Sequence, residues 1–141
     1  MLRVVLVLVL ILAAFGVAAV VGRRKDDGRP VTTRGKLPTH VRRSDFARPD
    51  ASWLVVLFSS STCASCAEAR TVVEPLESDE VAVTEVEFTA ERELHERYDI
   101  DAVPSVILCD GSGAVKASFV GPPKAADLWS TLAELRDQEI D

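Results

Sequence analysis

Trp53 to Phe58, WLVVLF, is an unbroken apolar run with two β-branched valines at its centre. A strand with one wet face alternates apolar and polar residues, so a run without alternation reads as a strand covered on both faces. The rest of the chain therefore has to supply that cover.

The downstream sequence reads as a series of elements able to do so. Cys63 to Glu74 suits a helix, with Ser61 or Thr62 placed to cap it and Pro75 to end or kink it. Val81 to Phe88 (VAVTEVEF) reads as a second strand and Glu91 to Tyr98 (ERELHERY) as a short polar-faced helix. Ser105 to Cys109 and Val115 to Val120 flank a Gly-rich link, Asp110 to Gly113, which predicts a hairpin. Ala125 to Leu135 closes the pattern as an amphipathic helix, with Leu128, Trp129, Leu132 and Leu135 expected on one stripe. Strand, helix, strand, helix, strand, strand, helix implies an α/β fold with a mixed sheet and helices on both faces. Sites in such sheets form at the carboxyl end of a strand, where a helix begins.

Cysteine chemistry falls at such a junction. The stretch FSSSTCASCAEAR, Phe58 to Arg70, holds Cys63 and Cys66, two of the chain's three cysteines. The thiolate is the reactive form, and a helix N-terminus favours it through free N–H groups and the helix dipole. Cys63 is the residue placed to feel that field. Cys66, about one turn deeper, is in position to attack a mixed disulfide formed on Cys63. Half a zinc site is the competing reading, but no second paired ligand motif is present: Cys109 lies in an apolar strand, and His40 and His95 stand apart. Accordingly no metal and no cofactor are expected. Cys109 is expected to be a small core residue, and His95, between charged neighbours, a solvated one.

From about Val41 to Leu135 the sequence resembles the thioredoxin superfamily, specifically membrane-anchored members near the extracytoplasmic thiol-disulfide reductases and methylamine-utilisation accessory proteins. The resemblance is carried by WLVVLFSSSTCASC, by YDIDAVPSVILCDGSG and by FVGPPKAADLW. It implies a three-layer fold around a mixed central sheet, a redox-active disulfide between Cys63 and Cys66, and a cis-proline at Pro104. In that family the cis turn holds the Val103 backbone open to a substrate strand. Thr62, standing where thioredoxins usually carry Trp, joins Val103 on the expected substrate-binding surface. Ala64-Ser65 replaces the usual Gly-Pro, and the absence of a His between the cysteines leans toward reductase over oxidase. Leu57 occupies the position of the family's buried acid. Counting back from Pro104 sets Glu85 beside the strand of Leu57, so the acid is expected to have changed strands. A desolvated carboxyl there would have a raised pKa and could take the Cys66 proton. The alternative is that Glu85 and Glu87 face solvent.

Leu2 to Val21, apolar apart from Arg3, runs about twenty residues, the length of a bilayer-spanning helix, and stops at Arg23-Arg24-Lys25. It shows no polar face and a weak cleavage signal, so an uncleaved single-pass anchor is expected over residues 1–22. A basic tether is expected over 23–36 and the folded domain over 37–141. Residues 23–50 hold nine basic against four acidic side chains, whereas 51–141 hold six against eighteen. The basic part suits anionic lipid headgroups, and the acidic domain excludes nucleic acid as a partner. Charge and resemblance disagree on topology. The positive flank after the anchor favours a cytosolic domain, the resemblance an extracytoplasmic one, and long domains are translocated regardless of flanking charge. The expected function is membrane-anchored thiol-disulfide exchange on protein cysteines, resupplied by an electron-donating membrane or thioredoxin-type partner. An accessory or scaffold protein for one client, or a metal carrier using the two cysteines, are the alternatives.

Overall fold

The computed structural model describes residues 36–138. The expected anchor and all of the tether except Lys36 lie outside them, and among the described residues no helix is long and apolar enough to cross a membrane. Four strands form one mixed sheet in the order β2-β1-β3-β4. They are β1 (Trp53–Ser59), β2 (Val81–Glu87), β3 (Ser105–Asp110) and β4 (Val115–Val120), with helices α1 (Ala64–Val73), α2 (Arg92–Arg97) and α3 (Ala125–Gln138). Strand β1 runs parallel to β2 and antiparallel to β3, and β3 and β4 form the antiparallel hairpin read from the sequence.

Every residue of β1 is buried. Because successive side chains point to opposite faces, its apolar run feeds two cores at once. Leu54, Val56 and Phe58 pack with Ala82, Val86, Ile107, Phe46 and Tyr98 on one side. Trp53, Val55 and Leu57 pack with Val81, Val106, Leu108, Ala69, Val73, Leu128 and Leu132 on the other. Full burial of each Leu, Val or Phe contributes about 1.5–3 kcal/mol. Helices α1 and α3 cover this second face, and α2 lies against the first.

Two burial expectations need correction. Trp129 is 46% exposed rather than part of the buried stripe. One residue on from Leu128 is a turn of about 100° around the helix, which carries the ring off the core face. Its indole N–H instead donates to the Val72 carbonyl (3.0 Å) and joins α3 to α1. His95, expected in solvent, is 2% exposed. Its ring nitrogen Nε2 lies 3.0 Å from the Val86 carbonyl oxygen, and the ring meets Phe58 and Phe88 edge-on. The charged neighbours in α2 turn outward while His95 and Tyr98, three residues apart, share the inner side.

The chain enters the fold at the far end of the sheet from the cysteines. Val41 N–H donates to the Gly113 carbonyl (2.8 Å) and Val115 N–H to the Thr39 carbonyl (3.0 Å), with a bridge between His40 and Ala114. Arg43, 8% exposed, braces this end by donating to the carbonyls of Ala51 (2.8 Å) and Arg48 (3.1 Å). Gly113 has φ +92°, and a Cβ there would collide with the Val41 carbonyl oxygen. Gly121 has φ +88° with open space around its Cα. Gly121→Ala should therefore cost only the left-handed backbone penalty, about 1–2 kcal/mol, whereas Gly113→Ala should cost measurably more in the same urea titration. Equal losses would mean that the Val41 contact is not tight.

Candidate active site

The site is built where β1 ends. Ser59 is fully buried, and the chain then turns sharply, with Cys63 N–H donating to the Ser60 carbonyl (3.1 Å). Cys63 itself is the N-cap of α1, in extended conformation (φ −94°, ψ 110°). This corrects the expected cap: the Ser60 and Thr62 hydroxyls bond each other (3.1 Å), and no side chain caps α1. The Cys66 N–H donates to the Cys63 carbonyl (3.3 Å), so Cys63 starts the helix through its backbone while its sulfur sits at the helix N-terminus.

Cys63 and Cys66 are joined as a disulfide with a Cα–Cα distance of 5.4 Å. Their exposures differ. Cys63 is half-buried, while Cys66 is 1% exposed and points into the core side of α1. The remaining thiol, Cys109, is fully buried in β3, and burial pushes it up to about 12 against a partly offsetting Arg43 charge. A thiol held neutral in this way is inert at ordinary pH.

Val103 and Pro104 lie at the same end of the sheet, because Ser105 pairs with Phe58. The Val103–Pro104 bond is cis. Pro104 is buried, its carbonyl accepts from Gly121 N–H (2.8 Å), and Val103 packs half-buried at the edge of the first core. Thr62 is exposed at the head of the turn.

Glu85 sits opposite Leu57 in the β1–β2 register, as the count from Pro104 placed it. Its protonation behaviour is the reverse of the expectation. The carboxylate accepts from Arg70 Nε (2.8 Å) and Nη2 (2.6 Å) and from the Ser59 hydroxyl (2.6 Å). The Arg70 hydrogen bonds, helped by Ser59 and by the Arg70 charge, outweigh desolvation and hold Glu85 below the usual carboxylate range. Glu85 is not a raised-pKa acid because α1 brings it a cation. Arg70 lies four residues after Cys66, one turn along α1 on the face turned toward β2.

Glu87, two residues on, is tied to the active-site turn. Its carboxylate accepts from Ser61 N–H (2.8 Å) on one side and from Thr89 (2.8 Å) and Ala90 (2.9 Å) N–H on the other. The Ser61 bond foremost, then that of Ala90, lowers its pKa. Phe88 N–H adds a bond to the Ser59 carbonyl (2.9 Å). The turn before Cys63 is thereby fastened to the end of β2. Ser59, Arg70 and Glu87 had no assigned role in the sequence reading. The period-two placement of Glu85 and Glu87 on one strand face was the available signal.

A mixed sheet covered on both sides, with a Cys-x-x-Cys pair opening the helix after its central strand, defines the thioredoxin-like class. The Thioredoxin family profile matches residues 41–134, and the chain belongs to that family. Among solved structures it is similar to the germline-specific thioredoxin Deadhead of Drosophila melanogaster, at 26% identity and TM-score 0.54 over 62% of this chain and 84% of that one. A mutant thioredoxin of Halobacterium salinarum matches at 22% identity and TM-score 0.53, over 65% and 82% of the two chains. No match was found among curated proteins. The fold and cysteine pair are consistent with thiol-disulfide oxidoreductase activity.

The Arg70–Glu85 pair yields a pH prediction. A carboxyl whose folded pKa is depressed adds stability above the unfolded value, about 4.3, and loses it as pH falls through the folded pKa. Glu85→Gln should lower stability near pH 7 by about 1 kcal/mol, after discounting for the exposure of both side chains (41% for Arg70, 30% for Glu85). The difference from the parent should close as pH drops below about 4. A gap in urea unfolding free energy that widens toward acid would contradict this charge assignment.

Proposed function

We propose that the protein is a membrane-anchored thiol-disulfide oxidoreductase, working as a reductase of disulfides in other proteins. The observation that carries the reading is the asymmetry of the pair: an accessible Cys63 at the start of α1 and a buried Cys66 three residues on. In the reduced protein the Cys63 thiolate attacks a substrate S–S bond. A Cys63–substrate disulfide forms, and one substrate sulfur leaves as thiolate and takes a proton. Cys66, on losing its proton, attacks the Cys63 sulfur, which releases the second substrate thiolate and closes the Cys63–Cys66 disulfide. Two electrons pass from the dithiol to the substrate, and a dithiol donor resets the pair.

Thr62, Val103 and the Pro104 turn form the surface on which the substrate chain lies. Glu85, already ionised and engaged by Arg70, is a weak base, so its part is to hold α1 against β2 while the Cys66 proton passes to water. The apolar segment Leu2 to Val21 holds the domain at the membrane, with the domain extracytoplasmic and lipid headgroups meeting the basic tether.

Alkylation rate against pH on single-cysteine variants tests the roles. Cys63 should titrate below the unperturbed value of about 8.5 and react faster than Cys66 near neutral pH. Cys66→Ser should accumulate mixed disulfides with client proteins, and the parent should reduce insulin. Trapping of one client without insulin reduction would favour a dedicated accessory protein, such as one serving maturation of a single enzyme or cytochrome.

Topology has its own measurement. A membrane-impermeant thiol reagent applied to intact cells after reduction should label Cys63. Labelling that appears only after lysis would put the domain on the cytosolic side.

A further inference from the structure

We infer that Ser65, between the two cysteines, is a further catalytic residue: its hydroxyl is the hydrogen-bond donor that holds the Cys63 thiolate in the reduced protein. The inference rests on the thiol-disulfide reading and names a residue that sets the reactivity of that site. Ser65 Oγ lies 3.6 Å from Cys63 Sγ, at contact distance for oxygen and sulfur. What makes the contact informative is how other helical hydroxyls in this chain behave. Thr71 donates to the Glu68 carbonyl (2.7 Å), and Ser130 (3.2 Å) and Thr131 (2.7 Å) both donate to the Asp127 carbonyl. This backward bond to a carbonyl three or four residues earlier is the ordinary resting place of a helical hydroxyl. Ser65, in the first turn of α1, has no helical residue three or four places earlier to bond back to, which leaves its hydroxyl free, and its partner among the described residues is the sulfur. Ser65 is half-buried.

In the disulfide the sulfur is neutral and a poor acceptor. Reduction adds two electrons and one proton to the pair, leaving the Cys63 sulfur as thiolate and Cys66 as thiol. The sulfur then becomes an anion with an O–H donor already beside it, and a hydrogen bond to the charged form lowers the pKa. Among the described residues Ser65 is the hydroxyl that touches the Cys63 sulfur, and after reduction the Cys66 thiol stands beside it as a second, weaker donor, which a Cys66→Ala background removes. By stabilising the reduced form, the same bond makes the pair easier to reduce.

The test uses the full chain. On a Cys66→Ala background, where Cys63 is the sole active-site thiol, its pKa is read from ultraviolet thiolate absorbance against pH. Ser65→Ala should raise that pKa by about one unit, a tenfold change in acid dissociation. Ser65→Thr, which keeps the hydroxyl, should stay near the parent. In the two-cysteine protein, equilibrated with glutathione above the variant's thiol pKa, Ser65→Ala should shift the equilibrium about tenfold against reduction, or about 30 mV more negative. Unchanged melting temperatures would exclude loss of fold as the cause. A Cys63 pKa unmoved or lowered in Ser65→Ala, or moved equally in Ser65→Thr, would overturn the inference. The titration needs no substrate. If the pKa moves as expected while no protein disulfide is reduced, the thiol-exchange reading fails and the Ser65 contact stands.

Discussion

Burial of β1 on both faces is the constraint from which the other features follow. An apolar strand with no wet side can exist only in the middle of a sheet with cover above and below. Strands β2 and β3 flank it, α1 and α3 close one side, and α2 with the Val41–Phe46 segment closes the other. With both faces and both edges occupied, the ends are the free surfaces of the strand. Chemistry is therefore confined to the turn that leaves Ser59. That turn meets the N-terminus of α1, where a sulfur anion is favoured.

Polar groups then fix the turn in place. The carboxylates at the end of β2 divide the work, Glu85 fastening α1 through Arg70 and β1 through Ser59, Glu87 fastening the Ser61 amide. Both stay ionised at neutral pH because each is met by several donors in charge-assisted bonds. Leu57 packs in the second core, and the polar anchoring comes from Glu85 opposite it on β2.

Much of this was legible in the residues. Unbroken apolarity in WLVVLF, alternation in VAVTEVEF and the Gly-rich link before Val115 specify strands by short-range pattern, and the observed boundaries fall within a residue or two of that pattern. The position of Glu85 opposite Leu57 was also readable, because register is countable. Its ionisation was not. A pKa depends on which cation arrives from a different element, and Arg70 reaches Glu85 only through the packing of α1 on the sheet. His95 failed for a related reason. A six-residue helix is too short for its charged positions to reveal which side faces inward. Trp129 shows the converse, an apolar residue whose burial is decided by 100° of helix rotation.

The bridge at His40 and Ala114 fixes which way the molecule faces. Strand β1 spans seven residues between that pole and the dithiol, about 20 Å of sheet. A pull applied to the chain at Val41 therefore acts on the pole away from Cys63. Attachment and reaction can load the same domain without competing for surface.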